Sequence, residues 1–563
     1  MLNTRLTMHG IRHLSKGTLI IVFLVLFILA PLCYSLYTAH VWEDFFITFK
    51  FSKNFCEGNG LVYVPGERVH GFTSPLGVIL PAFCYLVTGS ETVENAIWLF
   101  RLLFCIPAFV GAGIFLISML FDEDSDHKMM PVVFAGLLFI SEAKSVMFSV
   151  NGMETAFMLF FLAWAFYLMS RTTFDWLQIG VAWGGLMWTR PDSCVYVAVL
   201  SIAFLSCRKL PVRSLLIPMT KAAAVTTIIY LPWFIWAWSY YGSPVPQTVL
   251  AKNAMSGAFD PAALLIQIIT HVFKASSWVY APVYPQFPGW NPLVYVFSGG
   301  AGAFAALYWV FPWAKNDRLG RMASICFLCL TVYFSAMSFP YPWYFPPAAM
   351  LGIIVFVRGI FTLSDHFSKP ENKLAVPVIA LSGIFLVMMT TLLLSSYEMK
   401  LQQKYVEDGT RRKVGEWLNK NTRRSDRIYL EALGYIGYFS DRKILDFPGL
   451  VSPEVVELVK KEKLNFVTLV EKLRPEWIVV REIDYINLAT KSQYFNLNYE
   501  LVTVFDSYEK LDNLGYIPGE WYLIYDAFYY VVRRLDVPVP KDAKIELPFL
   551  QGEKNDLSVR KLK

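Results

Sequence analysis

Apolar runs recur through the chain at 18–39, 97–121, 130–149, 153–170, 215–238, 291–313, 321–338, 346–363 and 374–396. Each is long enough to cross a hydrocarbon core of about 30 Å as a helix. A chain that repeats such runs cannot hide them in a water-soluble core. With 55% hydrophobic and only 17% charged residues and a mean hydropathy of +0.44, it is too apolar for an ordinary soluble enzyme. The expected class is a polytopic α-helical membrane protein.

Two stretches decide the topology. The run 176–207 would be roughly 48 Å long as one straight helix at 1.5 Å per residue, and it carries Arg190-Pro191-Asp192 near its middle. It is read as two short spans with that tripeptide at the turn. The segment 75–89 is read as dipping into the interface. Lys128, Arg171, Arg208, Lys209, Arg213, Lys315, Arg318, Arg321, Lys369 and Lys373 then all fall in connections on the N-terminal side, where Lys and Arg accumulate. A rival with a spanning 75–89 and an unsplit 176–207 requires an overlong helix with a charged centre. The adopted model has about eleven spans in the inner (cytoplasmic) membrane, a cytosolic N-terminus and an extracytoplasmic C-terminal region. The run 130–149, with Glu142 and Lys144, is its weakest span.

The net charge of +6 lies mostly in short clusters between apolar runs, which fits a bilayer as partner and no nucleic acid. Arg5, Arg12 and Lys16 precede an apolar stretch longer than a usual signal core and without a small-x-small cleavage site, so it is read as an anchor. None of the eight cysteines lies beyond residue 400, so disulfides do not hold the C-terminal region together. Cys326 and Cys329 read as a buried helix face rather than a metal site.

On the outer side this topology gathers the segments 40–96, 150–154, 189–192, 240–290 and 338–345. Residues 1–397 form the membrane domain, with 40–96 as its first external loop. Residues 398–563 read as a soluble α/β domain. There, 404–421 is amphipathic, 427–431, 443–446 and 477–481 read as strands, and 453–460 and 465–473 as helices, which predicts a mainly parallel sheet. The polar tail beyond 550 is expected to be disordered.

Glu43 and Asp44 end the first span, where an ionised carboxylate is costly unless hydrated, paired or bound to a cation. Gly58-Asn59-Gly60, Pro65-Gly66, His70-Gly71 and Thr73-Ser74-Pro75 follow closely, turn chemistry that builds a fixed loop rather than a tether. The stretch EDFFITFKFSKNFCEGNGLVYVPGERVHGFTSPLG at 43–77 resembles the first external loop of bacterial GT-C glycosyltransferases of the arabinofuranosyltransferase-like and ArnT-like types. SVNGMETAF, LMWTRPDS, YYGSPVPQTVLAKN and GYIGYFSDRKILDFPGLVSPEV resemble later segments of that family in the same order.

The resemblance implies a GT-C fold and transfer of a sugar from a polyprenyl-phosphate donor to a glycan, lipid or protein acceptor at the outer membrane face. Inverting transfer needs a carboxylate to take the acceptor hydroxyl proton and cations to hold the departing phosphate. Asp44 or Glu43 is the candidate base, and Asp44 is favoured because the family usually carries two aspartates. Arg68, Arg190 and Lys252 are candidate phosphate partners. Arg190 could instead pair with Asp192 to cap two short helices, and Lys252 could be a snorkelling surface residue. Glu154 is a candidate for substrate or cation, with helix capping as its rival. His70 stands where the family commonly has Glu, which weakens a two-carboxylate cation site. Tyr341, Trp343 and Tyr344 could stack on a sugar or form an interfacial belt. No cofactor is certain, and a divalent cation at Glu43, Asp44 and Glu154 stays open. The alternative class is a transporter or flippase for a lipid-linked envelope precursor, which predicts internal repeats and broken helices at mid-membrane. The absence of HExxH, GxSxG and P-loop matches argues against zinc or serine hydrolysis and ATP-driven transport.

Overall fold

A computed structural model describes residues 16–89, 93–120, 129–208, 212–255, 260–287, 289–337 and 340–538; the tail beyond 550 lies outside them. Among the described residues, seven helices are long and apolar enough to cross a membrane. They are Lys16–Thr38 (α1), Val93–Leu120 (α4), Val212–Tyr241 (α10), Pro292–Leu307 with a following 3-10 turn (α13), Arg318–Ala336 (α14), Pro346–Phe367 (α15) and Ala375–Leu401 (α16). Shorter apolar helices join them: Leu76–Thr88 (α3), Met129–Ser141 (α5), Thr155–Ser170 (α7) and Ser193–Cys207 (α9). The protein is a multi-pass α-helical membrane protein.

The division at Arg190-Pro191-Asp192 is present. Helix α8, Trp176–Thr189, starts where Asp175 accepts the amides of Leu177 and Gln178 at 3.1 Å, and it ends at Arg190, whose backbone is extended as a residue before proline prefers. The run 130–149 is not one helix. Glu142 accepts the amide of Ser145 at 2.6 Å and starts a second short helix, Ala143–Phe148 (α6), because its carboxylate caps better than it packs. The segment 240–290 is no open loop either. It holds Gln247–Met255 (α11) and Pro261–Trp278 (α12). The latter packs on α13 and α14 while its outward face exposes Leu265, Ile266, Ile269 and Phe273, the distribution of a helix set in apolar surroundings.

The two ends of the bundle differ. Arg208 donates to the carbonyl of Thr172 at 2.8 Å and Arg318 to that of Ser170 at 2.6 Å, so three basic connections meet at one end. Glu154 and Arg190 lie at the other ends of α7 and α8. The first loop is on that second end. Its helix α2, Glu43–Cys56, packs into the C-terminal domain rather than standing free: Phe51, Tyr63 and Phe72 share one apolar cluster with Val414, Leu418, Ile428 and Trp477. Burial of each such aromatic contributes about 1.5–3 kcal/mol. Lys50 donates to the carbonyl of Gly437 at 2.7 Å, the amide of Val41 to Gln403 at 2.9 Å, and Lys443 pairs with Glu67 at 2.6 Å.

After α16 the chain runs on through a π-wound stretch, Gln402–Arg411, into Arg412–Asn421 (α17). The sheet contains Arg427–Leu430 (β1), Lys443–Asp446 (β2), Trp477–Val480 (β3), Tyr499–Asp506 (β4) and Phe528–Arg534 (β5), in the order β2-β1-β3-β5-β4. Strand β1 pairs in parallel with β2 and β3, whereas β5 is antiparallel to both β3 and β4. The expected mainly parallel sheet is therefore mixed. Helical crossovers through Gly434–Ser440 (α18), and through Pro453–Glu462 (α19) with Phe466–Leu473 (α20), enforce parallel pairing only as far as β3. The later strands close the edge antiparallel.

Buried charges tie this domain to the extended helix. Asp526 accepts from Arg411 at 2.8 Å and from Arg481 at 2.5 Å, and Arg411 also holds Glu407 at 2.7 Å. Burial alone would push the Asp526 carboxyl up; the two guanidiniums outweigh it and hold it down at about 2. Asp526→Asn leaves both buried arginines short of a counter-charge, and a loss of about 3–5 kcal/mol is expected, measured as a fall in thermal midpoint. The wild-type contribution is fully present above the ordinary aspartate value of 3.8 and disappears as pH falls through about 2. The Asn protein lacks that acid-sensitive loss. A separate prediction concerns sidedness: cysteines placed at the exposed positions Glu57 and Ser425 label from one face of the membrane, and one at Glu371 from the other.

Candidate functional site

Helix α2 begins at the acidic pair, so Glu43 and Asp44 occupy its first turn, where negative charge suits the helix dipole. Both are half-buried. The two side chains face different neighbours. Glu43 accepts a short hydrogen bond from the amide of Gly434, and a Cβ on Gly434 would fall 2.0 Å from the Glu43 carbonyl oxygen. Only glycine fits this approach. Asp44 lies within charge range of Lys252 of α11, Glu154 and Glu431. Burial pushes both carboxyls up, Glu43 well above its usual range. The Lys252 ammonium offsets part of that rise at Asp44.

The second half of the site is built on the α8–α9 turn. Arg190 donates to Glu154 at 2.6 Å and to Asp192 at 2.9 Å. It also bonds the Tyr344 hydroxyl and lies over that ring at 4.3 Å. Asp192 in turn accepts from Tyr333 at 2.9 Å. Arg190 therefore holds two carboxylates and a phenol in one frame, so it both caps the turn and lines the cavity formed with Thr155, Met158, Tyr196, Trp343 and Tyr344. Lys252 joins the halves. Burial pulls its ammonium down, and it interacts with Arg190, Asp44, Asp192 and Glu154 together. Its Nζ lies 4.9 Å from the centre of the Tyr341 ring, which stacks on Trp343 at 4.6 Å.

The structure therefore brings together Asp44, Lys252, Glu154, Arg190, Asp192, Tyr341, Trp343 and Tyr344. It places two candidates elsewhere. Arg68 is exposed and sits over Tyr240, 4.8 Å from the ring centre. His70 is buried, stacked on Tyr241 at 4.6 Å and edge-on to Phe72, and burial pushes its imidazole down to about 4. Tyr333 and Glu431 were not singled out by sequence. A tyrosine inside an apolar run carries no signal, whereas Glu431, closing a strand next to the glycines of 434–437, was within reach of one.

A cation at Glu43, Asp44 and Glu154 does not fit this arrangement. Glu154 is engaged by Arg190, Glu43 turns its oxygen to the Gly434 amide, and among the described residues no three His, Cys, Asp or Glu side chains converge on one point.

A family model described as a domain of unknown function, DUF8728, matches residues 397–525. No curated protein matches. Among solved structures, the chain is similar to ArnT from Cupriavidus metallidurans bound to undecaprenyl phosphate, at 12% identity, with 92% of this chain and 98% of that chain covered and a TM-score of 0.54. It is also similar to the oligosaccharyltransferase of Archaeoglobus fulgidus in its apo form, at 12% identity, with 82% of this chain and 70% of that one covered and a TM-score of 0.50. The likeness spans nearly the whole chain, and the fold is the one shared with these two solved proteins, here with a C-terminal α/β domain.

Proposed function

We propose that this chain is an inverting glycosyltransferase of the inner membrane, which moves a sugar from a polyprenyl-phosphate donor to an envelope glycan, lipid or protein acceptor on the extracytoplasmic side. The observation that carries the proposal is the gathering of Asp44, Lys252 and the Arg190 frame at one end of the bundle, within charge range of one another, in a fold shared with a protein solved with undecaprenyl phosphate. The basic end of the bundle is assigned to the cytosol, which puts the cavity and the C-terminal domain outside.

In the reaction the acceptor hydroxyl oxygen attacks the anomeric carbon, the bond from that carbon to the phosphate oxygen breaks, and polyprenyl phosphate leaves. Asp44 takes the hydroxyl proton. Lys252 carries the main electrostatic load at the leaving phosphate, because two of the hydrogen bonds of Arg190 already go to Glu154 and Asp192. The aromatic group of Tyr341 and Trp343 offers a face to the sugar ring. Glu43 is a positioning residue: its carboxyl oxygen on the Gly434 amide fixes the first turn of α2, and with it the base, against the C-terminal domain.

Turnover of the purified chain in nanodiscs, supplied with polyprenyl-phosphate sugars and envelope acceptor from a deletion strain, tests this division. Asp44→Asn is expected to lower kcat by about 10²–10⁴ without unfolding, while Glu43→Gln, which keeps an oxygen for Gly434, stays within about tenfold of wild type. Equal losses in the two variants would contradict the assignment. The pH profile gives a second check. Because burial raises the Asp44 carboxyl, kcat/KM should fall on acidification with a midpoint above the ordinary aspartate value of about 4. Lys252 lowers the Asp44 pKa, so Lys252→Gln should move that midpoint to higher pH.

A further inference from the structure

The donor side of the cavity is accounted for by Lys252 and the Arg190 frame. The attacking hydroxyl must arrive from the opposite side, where the C-terminal domain overhangs Asp44. The parallel strands β1 and β3 end there, and the C-terminal edge of such strands is where open α/β sheets present ligands. Strand β1 is followed at once by Glu431, three residues before the Gly434 that lies against Glu43. Strand β3 is followed by Arg481.

Glu431 and Arg481 are paired, but unequally held. Arg481 bonds one Glu431 oxygen, is anchored behind by Asp526 at 2.5 Å, and lies over the rings of Tyr525 and Tyr529 at 5.2 and 5.9 Å. Its side chain is only 11% exposed, whereas that of Glu431 is 45% exposed, as Tyr525 is at 44%. The result is an open carboxylate oxygen, fixed from behind by a guanidinium, beside an exposed phenol ring. Hydroxyl pairs donate to such a carboxylate, and the C–H face of a sugar packs on such a ring. Glu431 stands three residues before Gly434, whose amide bonds Glu43, so a group held by Glu431 lies on the side of the acidic pair.

The local charge selects among acceptors. Arg481 and Arg411 are offset by Asp526 and Glu407, so on this side the acidic groups Glu431, Asp484 and Asp44 outnumber the nearby cation, Lys252. A phosphorylated or otherwise anionic acceptor would be repelled here, since like charges at close range cost free energy even in partly hydrated sites. A neutral polyol meets no such penalty.

We propose that Glu431, with Arg481 and Tyr525, forms an acceptor-sugar subsite, and that the acceptor is an uncharged, hydroxyl-rich glycan whose attacking hydroxyl is presented there to Asp44. The proposal rests on the reading of Asp44 as the base.

The test uses the full-length chain in nanodiscs with polyprenyl-phosphate sugars extracted from a deletion strain. Envelope polysaccharide from the same strain is divided by anion exchange into unretained and retained fractions, and product is followed by mass spectrometry. Transfer is expected to the unretained fraction. Glu431→Gln should raise the half-saturating acceptor concentration about tenfold, the worth of a hydrogen bond to a charged group, with kcat and donor KM within about twofold. Glu431→Asp should recover part of the loss, and Tyr525→Ala should raise the acceptor KM independently if Glu431→Gln fails to fold. An unchanged acceptor KM in Glu431→Gln and Tyr525→Ala overturns the subsite, and transfer confined to the retained fraction overturns the uncharged acceptor. Neither result touches the base, which fails only if Asp44→Asn retains kcat.

Discussion

Everything at the end of the bundle that carries Glu154 and Arg190 depends on one contact, the docking of the first-loop helix α2 onto α18 of the C-terminal domain. The amide of Gly434 meets Glu43, the carbonyl of Gly437 meets Lys50, and the Tyr63 hydroxyl meets the carbonyl of Leu433 at 3.2 Å. A methyl group on Gly437 would fall 2.0 Å from that same Tyr63 hydroxyl. Two helices that approach this closely need glycine on one of them, and their polar groups then satisfy one another rather than water. Without this docking, α2 would be a short amphipathic segment at a membrane surface, and Asp44 would have no fixed neighbours.

The docking also explains how two adjacent carboxylates acquire different characters. Glu43 is engaged in holding the domain through the Gly434 amide. Asp44 lies within charge range of Lys252, Glu154 and Glu431, and burial raises its carboxyl above that of an exposed aspartate while the Lys252 ammonium works against the rise. At the α8–α9 turn, Arg190 does the equivalent structural work, binding Glu154, Asp192 and Tyr344 into one rigid wall.

Local signals in the sequence read out correctly. The division of 176–207 was visible because a charged Arg-Pro-Asp cannot sit mid-bilayer, and β1 to β3 were visible because short β-branched and aromatic runs alternate with amphipathic helices. What failed was whatever depended on distant chain. The pairing of Glu43 with Gly434 joins residues 391 positions apart, and nothing near Glu43 announces it. The partnership of Tyr333 with Asp192 is hidden within an apolar run. Helix α12 was missed because its polar residues dilute the apolar stripe, and the antiparallel closure by β5 because strand direction is set by the connection, not by the strand itself. Arg68 and His70 share a loop with the acidic pair, and the partners they meet, Tyr240 and Tyr241, again come from distant chain.

The central claim is that the donor phosphate lies at Lys252, with the sugar turned toward Asp44. The most direct measurement is an electron cryomicroscopy structure of the full chain in nanodiscs with a polyprenyl-phosphate sugar bound, using Asp44→Asn to stall transfer. The account predicts phosphate density within ion-pair reach of Lys252, about 4 Å or less, and the anomeric carbon nearer to residue 44 than to Glu43. Phosphate density at Arg68, or at the basic end of the bundle by Arg208 and Arg318, would contradict it.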